Sequence, residues 1–143
     1  MSKLFKRAKV QLSIANECHK HFADDDAYID ACCYSIQQSI ELSLKYLVEL
    51  HGEPYAENHD LRANIKKLNR LNVTVPMETE LRNMASTLYS WETESRYNDE
   101  FIALLTDIND AMTIAVALIT FADELTSQEV KIIPDEYTDK KLI

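Results

Sequence analysis

The sequence predicts an all-α fold, an antiparallel up-and-down bundle of four to five helices. Two observations carry this. The chain of 143 residues holds one Gly and three Pro, too few for the many tight turns of a sheet-rich domain. Its apolar residues also recur at spacings of three, four and seven, the period of one helix face.

Five helical stretches follow in order. The first spans about Lys3 to Phe22, with Phe5, Ala8, Leu12, Ala15 and Phe22 on one face. Asp24, Asp25 and Asp26 end it and offer a cap to the second. That helix spans about Ala27 to His51, where Ile29, Cys33, Ile36, Ile40, Leu44 and Leu47 form a stripe widened by Cys32, Leu42, Tyr46 and Leu50. An apolar surface this broad places it at the centre. Gly52 and Pro54 stop it, with Gly suited to the left-handed position after the cap. The third, near Asn58 to Arg70, buries Leu61, Ile65 and Leu68. The fourth begins at Pro76, whose missing N–H would go unbonded there anyway, and carries Met77, Leu81, Met84, Leu88 and Trp91 on one face. A break is expected over Thr93 to Asp99, with Asp99 capping a fifth helix from about Glu100 to Leu125. Its stripe is Leu104 or Leu105, Ile108, Met112, Ala115, Ile119 and Ala122. Ala111, Ala115, Ala117 and Ala122 allow close helix approach, inside the domain or across a dimer. The division expected is a bundle over residues 1–126 and a C-terminal tail over 127–143, loose or strapped onto a neighbour.

A single domain of this length can bury a core without disulfides or metals. The formal net charge is -9, which repels phosphate backbones and argues against non-specific DNA binding. Cys18, Cys32 and Cys33 make an odd count, and the adjacent pair is badly placed for mutual bridging. Reduced thiols, no apolar run after the basic N-terminus and no window of 18 apolar residues point to a cytoplasmic chain outside the membrane.

A glycine-rich phosphate loop is excluded by the single Gly52. His19 and His21 lie near Cys18 and the aspartates, but residues two apart point to different helix faces, so no metal and no cofactor is expected. No spacing singles out a nucleophile, base and acid. Two places are more informative. Gln37, Glu41 and Lys45 recur at every fourth residue and form a polar row on an otherwise apolar helix. The row lines a groove, or it is an exposed stripe with a Glu41–Lys45 pair. The segment YSWETESRYND, residues 89–99, combines Tyr89, Trp91, Arg96 and Tyr97. Arginine among aromatics can hold a carboxylate, a phosphate or a base. The structural alternative has Arg96 paired with Glu41 or Glu94 to lock the bend.

Three blocks together resemble the HEPN domain superfamily, specifically the stand-alone prokaryotic type associated with minimal nucleotidyltransferases. SIQQSIELSLKYLVELHGEPY, around Ser39, is similar to the family's second helix, a Gln–Glu–Lys row ending near a glycine. ENHDLRANIKKL, residues 57–68, is similar to its His-Asp-Leu helix start, with His59, Asp60 and Leu61. Tyr89, Arg96 and Tyr97 are similar to its Tyr…Arg-Tyr segment. The likeness covers about Leu4 to Leu125. It implies a bundle of four or five helices, often a homodimer, and often the toxin of a two-gene toxin–antitoxin module. Active members are metal-independent ribonucleases whose signature is Arg, four to six residues, then His. In that chemistry His transfers the proton and Arg stabilises developing phosphate charge.

This chain departs from that signature. No arginine precedes His19, His21, His51 or His59 at the required distance, and after Arg96 the window holds Phe101, Ile102 and Ala103. The expectation is therefore a non-catalytic interaction domain, a homodimer binding a nucleotidyltransferase partner and a nucleotide. Glu41, Lys45, Arg96 and Tyr97 line its groove, with Gln37, His59 and Tyr89 nearby. The alternatives are a divergent metal-independent ribonuclease using Arg96 with His59 or Tyr97, and a plain structural dimerisation module.

Overall fold

The computed structural model describes residues 2–142, with side chains through residue 128. Every regular element among the described residues is a helix: α1 (Leu4–His19), α2 (Ala27–Leu50), α3 (Leu61–Arg70), α4 (Glu78–Tyr97) and α5 (Leu105–Leu142). α2 touches all four others, as its broad apolar girth predicts. Cys32, Cys33, Ile36, Ile40, Leu44, Leu47 and Val48 along it are fully buried. Phe5 of α1 stacks on Tyr46 of α2 with ring centroids 4.7 Å apart.

The helix ends follow local chemistry. After α2, Gly52 takes φ +82°, the Gly52 N–H donates to Glu49 O and the Glu53 N–H to Val48 O. That is the paired closure that satisfies the last carbonyls of a helix, and glycine adopts it without a Cβ penalty. α3 ends the same way with Asn72 at φ 61° and Val73 N–H donating to Leu68 O at 2.8 Å. Asp60 caps α3, its carboxylate accepting from the Arg62 N–H at 3.1 Å.

Three boundaries differ from the sequence reading. α4 starts at Glu78 rather than Pro76, because Met77 takes a left-handed turn (φ 57°) just before it. The break expected over Thr93 to Asp99 lies later, at residues 98–104, since the helix persists through Tyr97. Asp99 does not cap α5. Asn98 instead folds a turn, its side chain accepting from the Glu100 N–H at 2.9 Å, and α5 begins only at Leu105. The core stripe of α5 is accordingly rotated. Ile108, Ala111, Ile114, Ala115, Leu118 and Ala122 are buried, whereas Leu104 and Leu105 face solvent. Between α1 and α2, the Ala27 N–H is capped by Asp25.

The backbone of α5 continues through the segment 127–142. The side chains beyond Gln128, and the expectation that this segment straps onto a neighbour, lie outside the described residues. The stretch Leu105–Gln128 is long and apolar enough, by length and composition only, to cross a membrane, although it lacks an unbroken apolar run. A third of that window is buried inside the bundle, so core packing accounts for part of its apolarity.

Candidate functional site

The polar row of α2 is buried, not a solvated stripe. Gln37 is wholly inaccessible and Glu41 nearly so, and the connection of residues 51–60 reaches this face of α2 at Glu41 through His59 and at Lys45 through Tyr55. Burying a carboxylate is costly unless it is paired and hydrogen-bonded, and Glu41 is both. Its Oε1 accepts from Gln37 Nε2 and from His59 Nδ1, each at 2.9 Å, and its Oε2 accepts from Lys45 Nζ at 3.1 Å. Gln37 in turn accepts from Gln38 Nε2 at 2.8 Å. The Lys45 ammonium lies 5.4 Å from the centroid of the Tyr55 ring, which covers it from the connection.

His59 stands on a tightly built turn. Asn58 accepts from the Asp60 N–H at 2.8 Å, and Asp60 begins α3. The backbone is therefore fixed on both sides of His59, while 55% of its side chain remains open to solvent. A carboxylate accepts, so His59 Nδ1 is the donor to Glu41, and Nε2 is the ring nitrogen left outside that bond. That nitrogen points toward α4, 3.9 Å from Glu92 Oε1.

Glu92 is the second buried carboxylate of the site. Arg96, one turn on, donates from Nη2 to Glu92 Oε1 at 3.0 Å, and from Nε and Nη2 to the Glu92 carbonyl at 3.0 and 2.9 Å. Arg96 therefore pairs with Glu92, not with Glu41 or Glu94, and it does so inside a continuous helix. Its guanidinium carbon lies 4.5 Å from the centroid of the Tyr34 ring and 4.9 Å from that of Tyr97. Nη1 makes no hydrogen bond to another described residue.

The expected residues thus divide. Gln37, Glu41, Lys45 and His59 meet directly. Arg96 and Tyr97 join them only through Glu92 and the edge of His59. Tyr89 sits half-exposed on the same face of α4 as Glu92 and Arg96, but takes no part in the hydrogen bonds. Glu92, Tyr34, Gln38 and Tyr55 were not among the expected residues. Two of them left a signal: Glu92 precedes Arg96 by four residues and Tyr34 precedes Gln37 by three, so each shares a helix face with a residue singled out.

His19 and His21 are occupied separately. His19 faces Asn109 of α5 at 3.2 Å, and His21 pairs with Asp24 at 2.7 Å. The hydrogen bond to Asp24 raises the pKa of His21 above its ordinary value. The two rings point to different elements.

No curated protein and no solved structure matches this chain. The family model of the HEPN domain matches residues 1–125, all five helices contributing. With that match over most of its length, on an all-helical bundle, the chain belongs to the HEPN domain family.

Proposed function

We propose that this chain is a non-catalytic HEPN interaction domain that binds a phosphorylated ligand, a nucleotide in the first place, at the Arg96–His59 edge. Its protein partner in this reading is a small nucleotidyltransferase, as the resemblance implies for a two-gene toxin–antitoxin module in the cytoplasm. The observation that carries the reading is the Arg96 guanidinium itself. It lies 4.5 Å from the Tyr34 ring centroid and 4.9 Å from that of Tyr97 and is anchored on Glu92, with Nη1 unused among the described residues and the exposed His59 ring on the other side of the Glu92 carboxylate. A pre-oriented guanidinium binds phosphate without losing much side-chain freedom, and the exposed Tyr97 ring offers a face on which a base can stack. The absence of a proton-transferring residue at Phe101, Ile102 and Ala103 is the reason the reading stops at binding.

Calorimetric titration with AMP and ATP tests it. Arg96→Ala should weaken binding at least tenfold, about 1.4 kcal/mol, and Tyr97→Ala should weaken it less. Nucleotide binding unchanged by Arg96→Ala overturns the site.

One observation favours a second reading, a divergent metal-independent ribonuclease. Glu41 fixes the tautomer of His59 and leaves Nε2 as a base whose nearest charged neighbours are Glu92 and, through it, Arg96. A carboxylate that orients an imidazole is a general-base arrangement. Incubation with RNA in the presence of EDTA decides this: cleavage lost in His59→Ala supports it, and intact RNA with the wild-type protein removes it. In either reading the domain dimerises, through the apolar side chains that α1 and α5 leave exposed, Val10, Ile14 and Val116. Analytical ultracentrifugation of Val116→Glu tests that contact.

A further inference from the structure

The connection between α4 and α5 exposes aliphatic side chains that the fold does not use. Ile102 is 85% exposed, Leu104 63% and Leu105 57%. Loops that cross a surface are ordinarily polar, and contiguous exposed apolar side chains mark a contact site. Beside them lies a cleft of about 250 Å³ between the start of α2 and this connection, floored by Ile29, Phe101 and Ala103. Its rim is Asp26, Asp30 and Asp99, none of which forms an ion pair with another described residue. Among the described residues no three such groups come close enough to share a metal ion. Partial burial, and then the Asp26 charge, raise the pKa of Asp30 above its ordinary value, a strain that a cation placed there would relieve.

We propose that this end of the bundle docks a basic amphipathic helix of a partner protein. Its apolar side chains enter the cleft over Ile29 and Phe101 and cover Ile102, while its Lys or Arg residues pair with Asp26, Asp30 and Asp99. Charge complementarity selects this occupant. A two-fold contact with a second copy would set the same carboxylates against each other, and an anionic bilayer meets the same repulsion. The basic helix satisfies both features of the surface in the ordinary helix-in-groove manner. This inference does not rest on the nucleotide site.

The test uses the full chain and two synthetic helical peptides of about four turns, with Leu on one face and either Lys or Glu on the other. Fluorescence anisotropy reads affinity at low and high salt, and NMR shift changes map the site. The Lys peptide should bind, perturb residues 26–30 and 99–105, and weaken with salt. Ile102→Ser should weaken it at least tenfold, and Asp30→Asn with Asp99→Asn should flatten the salt dependence. Circular dichroism checks that the variants stay folded. Equal binding of the Lys and Glu peptides, shifts confined to α1 and the outer face of α5, binding unaffected by Ile102→Ser, or binding of the chain to anionic vesicles through Ile102 would each overturn the proposal.

Discussion

Replacing Glu41 by Ala tests whether the buried polar row holds the domain together. The carboxylate is 4% exposed and its Lys45 partner 12%, so removal strands an ammonium and the Gln37 amide in a nearly dry place. Breaking a buried pair by deleting one partner costs about 3–5 kcal/mol. Lys45 keeps its contact with Tyr55 and a sliver of solvent, which puts the expected loss near the lower bound, about 3 kcal/mol. Against a total stability of about 5–15 kcal/mol for a domain, that is about a fifth to three fifths of the whole. The urea midpoint should fall with the slope unchanged, and Tm should drop by about 10 °C. Glu41→Gln keeps one acceptor oxygen and should lose roughly half as much. Joining Glu41→Leu to Lys45→Met removes both charges and should recover most of the loss, because replacing a buried pair by apolar groups is close to neutral. A Glu41→Ala loss below about 0.5 kcal/mol, the size of a surface change, would refute the argument that this row is desolvated.

Three further outcomes follow from single sites. The Ser43 hydroxyl is buried with no hydrogen-bond partner among the described residues, so Ser43→Ala should raise stability by about 1 kcal/mol in urea titration. Asp60 caps α3, and Asp60→Ala should cost about 1 kcal/mol. The side-chain pairing with Arg62 holds the Asp60 carboxyl below its ordinary value of 3.8, against a smaller upward push from burial. Its ionic contribution is therefore complete above about pH 4 and lost as pH falls through the lower folded value. Asp60→Asn keeps the cap and should differ from wild type at neutral pH but not in strong acid. Burial pushes the Cys32 thiol up to about 12 and Cys33 further still, while Cys18 is only partly covered. In native protein a thiol reagent should therefore modify Cys18 first, and reach the other two at the rate of unfolding measured in parallel.

What the sequence made legible is what local physics determines. The stripes of α2, the stop at Gly52 and the Asp60 start of α3 each depend on residues within a few positions. The boundary between α4 and α5 was harder to read, because two local preferences competed. The polar run after Trp91 looks like a break, yet the Glu92–Arg96 pair at i, i+4 holds the helix for another turn. The aspartate that looked like a cap then lost to Asn98, which folds a turn and delays α5 to Leu105. The site divides along the same line. The row Gln37, Glu41, Lys45 and the arginine with its tyrosines are local patterns. Whether the row meets water is decided by the path of residues 51–60, and no periodicity records that path.

The two sides of the site meet at two side chains, Tyr34 of α2 against the Arg96 guanidinium and His59 between Glu41 and Glu92. The α2 half is closed around Glu41, and the α4 half is closed around Glu92, each with its own cation. Among the described residues, His59 is the one side chain that reaches both carboxylates, firmly at Nδ1 and loosely at Nε2. Its removal should therefore break the polar link between the two carboxylates while the packing of α2 on α4 and the Tyr34–Arg96 contact remain. Arg96 would keep its place against Tyr34 of α2, so a ligand held by both His59 and Arg96 should feel the change more than one held by Arg96 alone.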